Sequence, residues 1–237
     1  VTLHNGRVTE INLPDNNLAG IIPQDLIYAD SLLDLDLSSN SIADTLPSSL
    51  TTLSFISSIN VAENDLTSIP SFSSTATLQT LNVSANKLQF GDLENNLGIG
   101  TFSYASQDSI SSYRDTLIDR DANISFGFDV SGANNLYQWY KDDEVIANAS
   151  GDDLSITAAQ FANEGVYRLE ISNSLLPDLT LTSGVLELKI TSLLRDSSAL
   201  RAIYTKMNGD NWSPDLNWLD EPITAWDSIE IANERVI

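Results

Sequence analysis

Asp142, Asp143 and Glu144 stand side by side, and Asp152 and Asp153 follow in the same stretch of chain. Carboxylates gathered in turns are the hard oxygen donors that calcium takes, so these five residues make calcium the one candidate cofactor, although no ordered ligand spacing links them. The window from Asp210 to Glu221 has the length and acidic ends of a helix-loop-helix calcium loop. It places Trp212, Pro214 and Asp215 where ligands and the turn glycine belong, and so fails inside. Covalent catalysis finds less support. The single imidazole, His4, falls in a predicted edge strand and has no partner series for a serine triad. Gly98-x-Gly100-x-x-Ser103 lacks the third glycine and the following helix of a nucleotide loop. There is no cysteine for a nucleophile, a disulfide or a zinc-thiolate site. No segment argues for a paired-carboxylate hydrolase, and the chain is read as non-enzymatic.

The balance of 33 acidic against 11 basic residues, a net charge of −22, repels phosphate backbones and argues against nucleic acid as a partner. No stretch approaches the ~20 apolar residues that span a bilayer, and Val1 to Arg7 lack the regions of a signal peptide. The start therefore reads as internal to a longer chain.

The elements that would position any binding group are repeats. The pattern L-x-x-L-x-L-x-x-N-x-L occurs four times: Val8, Ile11, Leu13, Asn16, Leu18; Leu32, Leu35, Leu37, Asn40, Ile42; Ile56, Ile59, Val61, Asn64, Leu66; and Leu78, Leu81, Val83, Asn86, Leu88. The asparagines are 24, 24 and 22 residues apart. In such a repeat the L-x-L step is a short strand with alternate side chains inward, and each coil buries one apolar layer. An asparagine carries both amide donors and a carbonyl acceptor, so Asn16, Asn40, Asn64 and Asn86 are expected to satisfy turn backbone inside the stack.

With Ile22-Pro23, Leu46-Pro47 and Ile69-Pro70 in their second halves, these repeats resemble the plant-type leucine-rich repeat, a class also common in surface proteins of Bacteroidetes. Gly20 matches the family glycine, while Asp44 and Ser68 stand there in later coils. The fourth repeat lacks the I-P step and runs into Gln89-Phe90-Gly91, where the solenoid is expected to end. The resemblance implies that the polar strip between the leucines binds protein or glycan. Glu10, Asn12, Asp34, Asp36, Asn60 and Asn82 are the candidate ligand-binding residues on it.

Past Gly100 short alternating strands are expected over 124–130, 136–141, 154–157, 166–172 and 185–190. Leu136-Tyr137-Gln138-Trp139-Tyr140-Lys141 resembles the third strand of an immunoglobulin-like domain, and Asn163-Glu164-Gly165-Val166-Tyr167 its tyrosine corner. The resemblance implies structural roles for Trp139 and Tyr167. Phe128 and Leu169 stand where that family has its cysteines, so apolar packing replaces the disulfide.

In the tail, Leu200, Ile203, Tyr204 and Met207 fall at helical spacing behind Asp196 or Ser197, with Gly209 as the stop. Trp212, Trp218 and Trp226 follow, and the segment resembles the N-terminal cap of plant-type repeats. Residues 229–236 then repeat the pattern of residues 1–8 at an offset of 228.

The expectation is a mixed fold: a short leucine-rich repeat solenoid (1–97), an all-β immunoglobulin-like sandwich (98–192) and a small helical cap at the C-terminal end that starts the next array (193–237). The expected role is an extracellular adhesion segment, or alternatively a stalk or filament segment that associates with copies of itself.

Overall fold

The inward leucines and the asparagine at every 22 to 24 residues leave a short strand in each turn of chain as the only backbone that can be stacked. The computed structural model describes residues 1–191, 193–212, 223–226, 229–232 and 235–236, and is mostly β. The chain divides into two compact units. The first holds 1–113, 127–153 and 168–185; the second holds 114–126, 154–167 and 186–237.

In the first unit the strands Thr2–His4, Arg7–Asn12, Asp34–Asp36, Ser58–Asn60, Thr80–Asn82 and Thr101–Ser103 form one sheet in that order. The Thr2–His4 pairing is antiparallel and the rest are parallel. Inward residues line up in buried columns: Leu35, Ile59 and Leu81; Leu37, Val61 and Val83; Ile42, Leu66 and Leu88. Each fully buried leucine or isoleucine stabilises the stack by about 1.5–3 kcal/mol. A smaller parallel sheet of Ala19–Gly20, Ser41–Thr45 and Asp65–Ser68 lies on the return path. Pro23 and Pro47 then open short 3₁₀ turns at Gln24–Tyr28 and Ser48–Thr52, where a missing N–H costs nothing. Asp44 adopts φ of 70° at the position that Gly20 holds with φ of 91°.

The asparagines knit successive coils. Asn86 Nδ2 donates to the carbonyls of Val61 (3.0 Å), Val83 (3.1 Å) and Ser84 (3.2 Å), and its Oδ1 accepts from the Leu66 N–H (2.9 Å). Asn64 and Asn40 repeat the arrangement one and two coils earlier. The residue before each, Ser39, Glu63 and Ala85, has a φ of 55°, 55° and 51°, so a left-handed residue bends every coil at the same place. Asn16 departs from expectation. Among the described residues its exposed side chain donates to Pro14 O (2.6 Å), two residues back, and to no carbonyl of a neighbouring coil.

The stack also continues beyond the expected end. Thr101–Ser103 pairs with Thr80–Asn82, Ser106 has φ of 62°, and Gln107 takes the asparagine role. Its Nε2 donates to Val83 O (3.0 Å) and Tyr104 O (2.8 Å), and its Oε1 accepts from Leu88 N (2.9 Å). A boundary at 97/98 therefore falls inside a fifth coil.

The rest of the first unit carries strand Asn135–Lys141, a hairpin to Glu144–Val145, and the C-terminal part of Gly165–Asn173 paired with Thr180–Thr182. Trp139 is fully buried, its Nε1 donates to Gly151 O (3.0 Å), and its ring stacks on Phe128 at 6.0 Å. Glu94, at the end of helix Phe90–Glu94, joins this part to the coils. Its carboxylate accepts from the N–H groups of Ala133 (3.0 Å) and Asn134 (3.4 Å) and from Asn173 Nδ2 (2.6 Å). Burial pushes the Glu94 carboxyl up, and these donors outweigh burial and hold it below the usual glutamate value. A lowered folded value means its stabilisation is complete above the ordinary glutamate range and fades as pH falls through the folded value. Glu94→Ala is expected to cost about 1–3 kcal/mol in urea unfolding at neutral pH, and the gap from wild type should narrow as pH falls below the ordinary glutamate range.

In the second unit Arg114–Asp119 pairs in parallel with Leu186–Thr191, and Leu186–Leu188 pairs antiparallel with Gly165–Tyr167. The expected strand series omitted Arg114–Asp119, whose charged residues mask its alternation. The Tyr167 hydroxyl donates to Asn163 O (2.6 Å), closing a tyrosine corner, and its ring lies 5.5 Å from Phe126. Helix Leu193–Lys206 follows, and Asn208 (φ 60°) turns the chain after it. Tyr204 and Trp226 are buried, with Leu200, Trp212, Ile223 and Ile229 packed on them, and Arg201 lies 4.8 Å over the Trp226 ring. Trp218 lies outside the described residues. A last hairpin, Ile231–Ala232 with Arg235–Val236, donates the Val236 N–H to Asp196 Oδ2 (2.9 Å). Among the described residues no helix is long and apolar enough to cross a membrane.

Candidate functional site

Strand alternation turns every second residue of the parallel sheet away from the leucine columns, and register then lines those residues up. Glu10, Asp34, Ser58, Thr80 and Thr101 form one row, and Asn12, Asp36, Asn60, Asn82 and Ser103 the next. Neighbours within a row are about 4.8 Å apart, the spacing of hydrogen-bonded strands. All six ligand-binding candidates, Glu10, Asn12, Asp34, Asp36, Asn60 and Asn82, line a single depression of about 470 Å³ together with Ser58 and Thr80.

The two rows differ in what they leave free. In the second row, Asp36 Oδ1 accepts from the Ser38 N–H (3.0 Å) and Ser38 Oγ (2.6 Å). Asn60 and Asn82 accept in the same way from the N–H groups of Ala62 (3.3 Å) and Ser84 (3.2 Å). Each thus ends its strand with a side-chain turn, a use that patterning does not reveal. Burial pushes the Asp36 carboxyl up, and the bonds from Ser38 and Asn60 outweigh it and hold it below the usual aspartate value. In the first row, the carboxylates of Glu10 and Asp34 and the hydroxyls of Ser58 and Thr80 have no side-chain hydrogen bond or ion pair among the described residues. The floor therefore presents carboxylate acceptors at one end and hydroxyls with the amides of Asn60 and Asn82 at the other, and its lining holds no cation.

Ser103, one strand beyond Asn82, belongs to a neighbouring depression of about 330 Å³ lined by Ser84, Phe102, Tyr104, Ala105 and Asp178. Burial pushes the Tyr104 phenol up, and the Asp178 carboxylate adds to it. These residues were missed. The signal was present, since Ile99, Phe102, Tyr104 and Gln107 repeat Leu78, Leu81, Val83 and Asn86 with aromatic residues for aliphatic ones and glutamine for asparagine.

The acidic cluster lies in and beside a hairpin turn. Asp142 and Asp143 are the two central residues of a tight hairpin, with φ of 50° and 65°, and such turns favour aspartate for its tolerance of the left-handed region. Lys141 Nζ holds Asp142 (2.8 Å) and Arg168 Nε holds Asp143 (3.3 Å), while Glu144 points outward from its strand and Asp153 begins strand Asp153–Ile156 beside exposed Asp152. Among the described residues no three carboxylate or imidazole groups gather as a metal site.

No protein-family model matches the chain, and no curated protein matches it. Solved structures that it resembles include immunoglobulin-domain fragments. The N-terminal four immunoglobulin domains of Dscam1 isoform 7.44 share 20% identity over 34% of this chain and 20% of that one, with a TM-score of 0.29. Extracellular domains 3–5 of Drosophila OTK share 11% over 32% of each chain (TM-score 0.28). The second Ig-C2 domain of human Fc-receptor like A shares 18% over 31% of this chain and 84% of its own (TM-score 0.25). The chain thus spans about a fifth of the Dscam1 fragment's length.

Proposed function

We propose that this chain is a non-enzymatic extracellular binding segment of a long repetitive surface protein, built from a leucine-rich repeat solenoid and a cysteine-free immunoglobulin-like domain. It captures protein or glycan on the polar face of the parallel sheet. The observation that carries this reading is the row of Glu10, Asp34, Ser58 and Thr80 side chains in one depression, without a side-chain partner among the described residues. A solvated sheet face needs no such concavity, and a recognition surface needs polar groups that the fold has not already used. With carboxylates and no cation in the lining, the fitting ligands offer hydroxyl, amide or amine donors, and phosphorylated or sulfated ones are disfavoured.

Asp34→Ala tests it, because Asp34 is exposed and its side chain bonds to nothing among the described residues. On arrays of glycans and of surface proteins, the wild type should capture a ligand that the variant captures about tenfold less, the loss of about 1.4 kcal/mol. The thermal midpoint should stay within about 2 °C. Equal capture by both chains would remove the sheet face from consideration.

A further inference from the structure

Arginine, aromatic ring and carboxylate come together more than once in this chain. Arg168 lies 3.9 Å over the Tyr140 ring with its guanidinium held by Asp143 and Glu170, and Arg195 lies 5.6 Å over the Phe161 ring while its Nη2 donates to Glu164 (2.6 Å). The depression of about 330 Å³ beside Ser103 assembles the same parts without the arginine. Phe102 and Tyr104 hold the column positions at which Leu81 and Val83 are fully buried one coil earlier. Both rings are only half-buried, because Thr101–Ser103 is the last strand of its sheet. Their centroids are 5.2 Å apart, with the planes at 49°. Asp178 reaches the same depression from the turn between Gly165–Asn173 and Thr180–Thr182, where buried Leu176 and Leu179, joined by the Leu179 N–H to Leu176 O (3.2 Å), fix its place. Its carboxylate has no hydrogen bond or ion pair among the described residues, and no basic residue lines the depression. All of these lining residues belong to the first compact unit.

We propose that the depression formed by Phe102, Tyr104 and Asp178 is a socket for an arginine side chain of a basic partner protein. A guanidinium is planar and always charged, so it lies flat on an aromatic face while its N–H fork meets a carboxylate, two demands that a compact ammonium does not meet together. Burial first and the Asp178 carboxylate next hold the Tyr104 phenol up, which marks a negative field at the place where the guanidinium would sit. A neutral sugar ring would use the aromatic faces and the hydroxyls of Ser84 and Ser103 but would gain nothing from that field. The sign of the partner follows from the whole chain: at a net charge of −22, two copies repel, and a basic protein is attracted. The proposal is independent of ligand capture on the sheet face, since neither Glu10 nor Asp34 lines this depression.

The test titrates N-acetyl-argininamide into the full chain while the ring signals of Phe102 and Tyr104 are followed by nuclear magnetic resonance. The two signals should shift together and saturate with a Kd on the order of a few millimolar, and the methylene protons of the probe should move upfield, as stacking on a ring demands. N-acetyl-citrullinamide, which keeps the shape and lacks the charge, should bind at least about tenfold more weakly, a loss of about 1.4 kcal/mol. Asp178→Asn should weaken argininamide to the same degree and, because Asp178 is exposed, leave the thermal midpoint within about 2 °C. Raising the salt from about 0.05 M to about 0.5 M should weaken binding several-fold. Asp34→Ala should leave the titration unchanged, which keeps a failure here distinct from a failure on the sheet face. Rings that do not shift at millimolar probe overturn the proposal, as does equal binding of the citrulline probe or by Asp178→Asn. Two further results also overturn it. Methyl glucoside moving the rings where argininamide does not would make the depression a sugar subsite, and ring shifts that appear only as protein concentration rises would make it a contact between copies.

Discussion

Trp139→Ala should lower the unfolding free energy by about 3–5 kcal/mol, the range for emptying a large aromatic from a packed interior. The indole is fully buried and stacks on Phe128, so its removal leaves a cavity that the surrounding strands can fill only in part. It also abandons the Gly151 carbonyl, which accepts the indole N–H. Urea unfolding followed by circular dichroism measures the loss. Trp139→Phe keeps most of the volume and forfeits the hydrogen bond, so it should fall between the two. A loss from Trp139→Ala below about 1 kcal/mol would mean that the indole is no core anchor.

The asparagine ladder makes a graded prediction. Asn86→Ala strands three carbonyls and one N–H in a fully buried turn, which should cost about 3–4 kcal/mol at about 1 kcal/mol or more for each abandoned group. Asn64, 7% exposed, should follow closely. Asn40 makes the equivalent bonds, to the carbonyls of Leu13, Leu37 and Ser38, but is half-buried, so water replaces part of its bonding and the loss shrinks. Asn16→Ala should be within about 0.5 kcal/mol of wild type. Equal costs at Asn16 and Asn86 in urea unfolding would show that turn propensity, and not the bonding between coils, sets the contribution.

This gradient also shows how far patterning reads. All four asparagines look alike in sequence, and their coils, inward columns and register followed from periodicity. Their energetic weight differs because Asn86 reaches a carbonyl one coil back, at Val61, whereas the Asn16 side chain donates within its own turn, to Pro14. Gln107 escaped notice for the reverse reason: a longer amide at a shorter interval reaches the same kind of carbonyl, and geometry accepts what a pattern rejects. The acidic residues 142 and 143 read as a cation site by composition, while the backbone uses them as a left-handed turn with basic neighbours at hand.

Local, periodic information thus carried the repeat, the inward leucines, the polar face and the tail's duplication of the N-terminal hairpin, because each depends on residues a few positions apart or one period apart. The free and used polar groups on the sheet, and the Glu94 joint, were decided by folding. The Glu94 donors come from 39 to 79 residues away, and no local pattern records such a meeting. Which carboxylates remain open to a ligand is the difference between all polar groups on the face and those that the turns consume. That difference exists only once the coils are stacked.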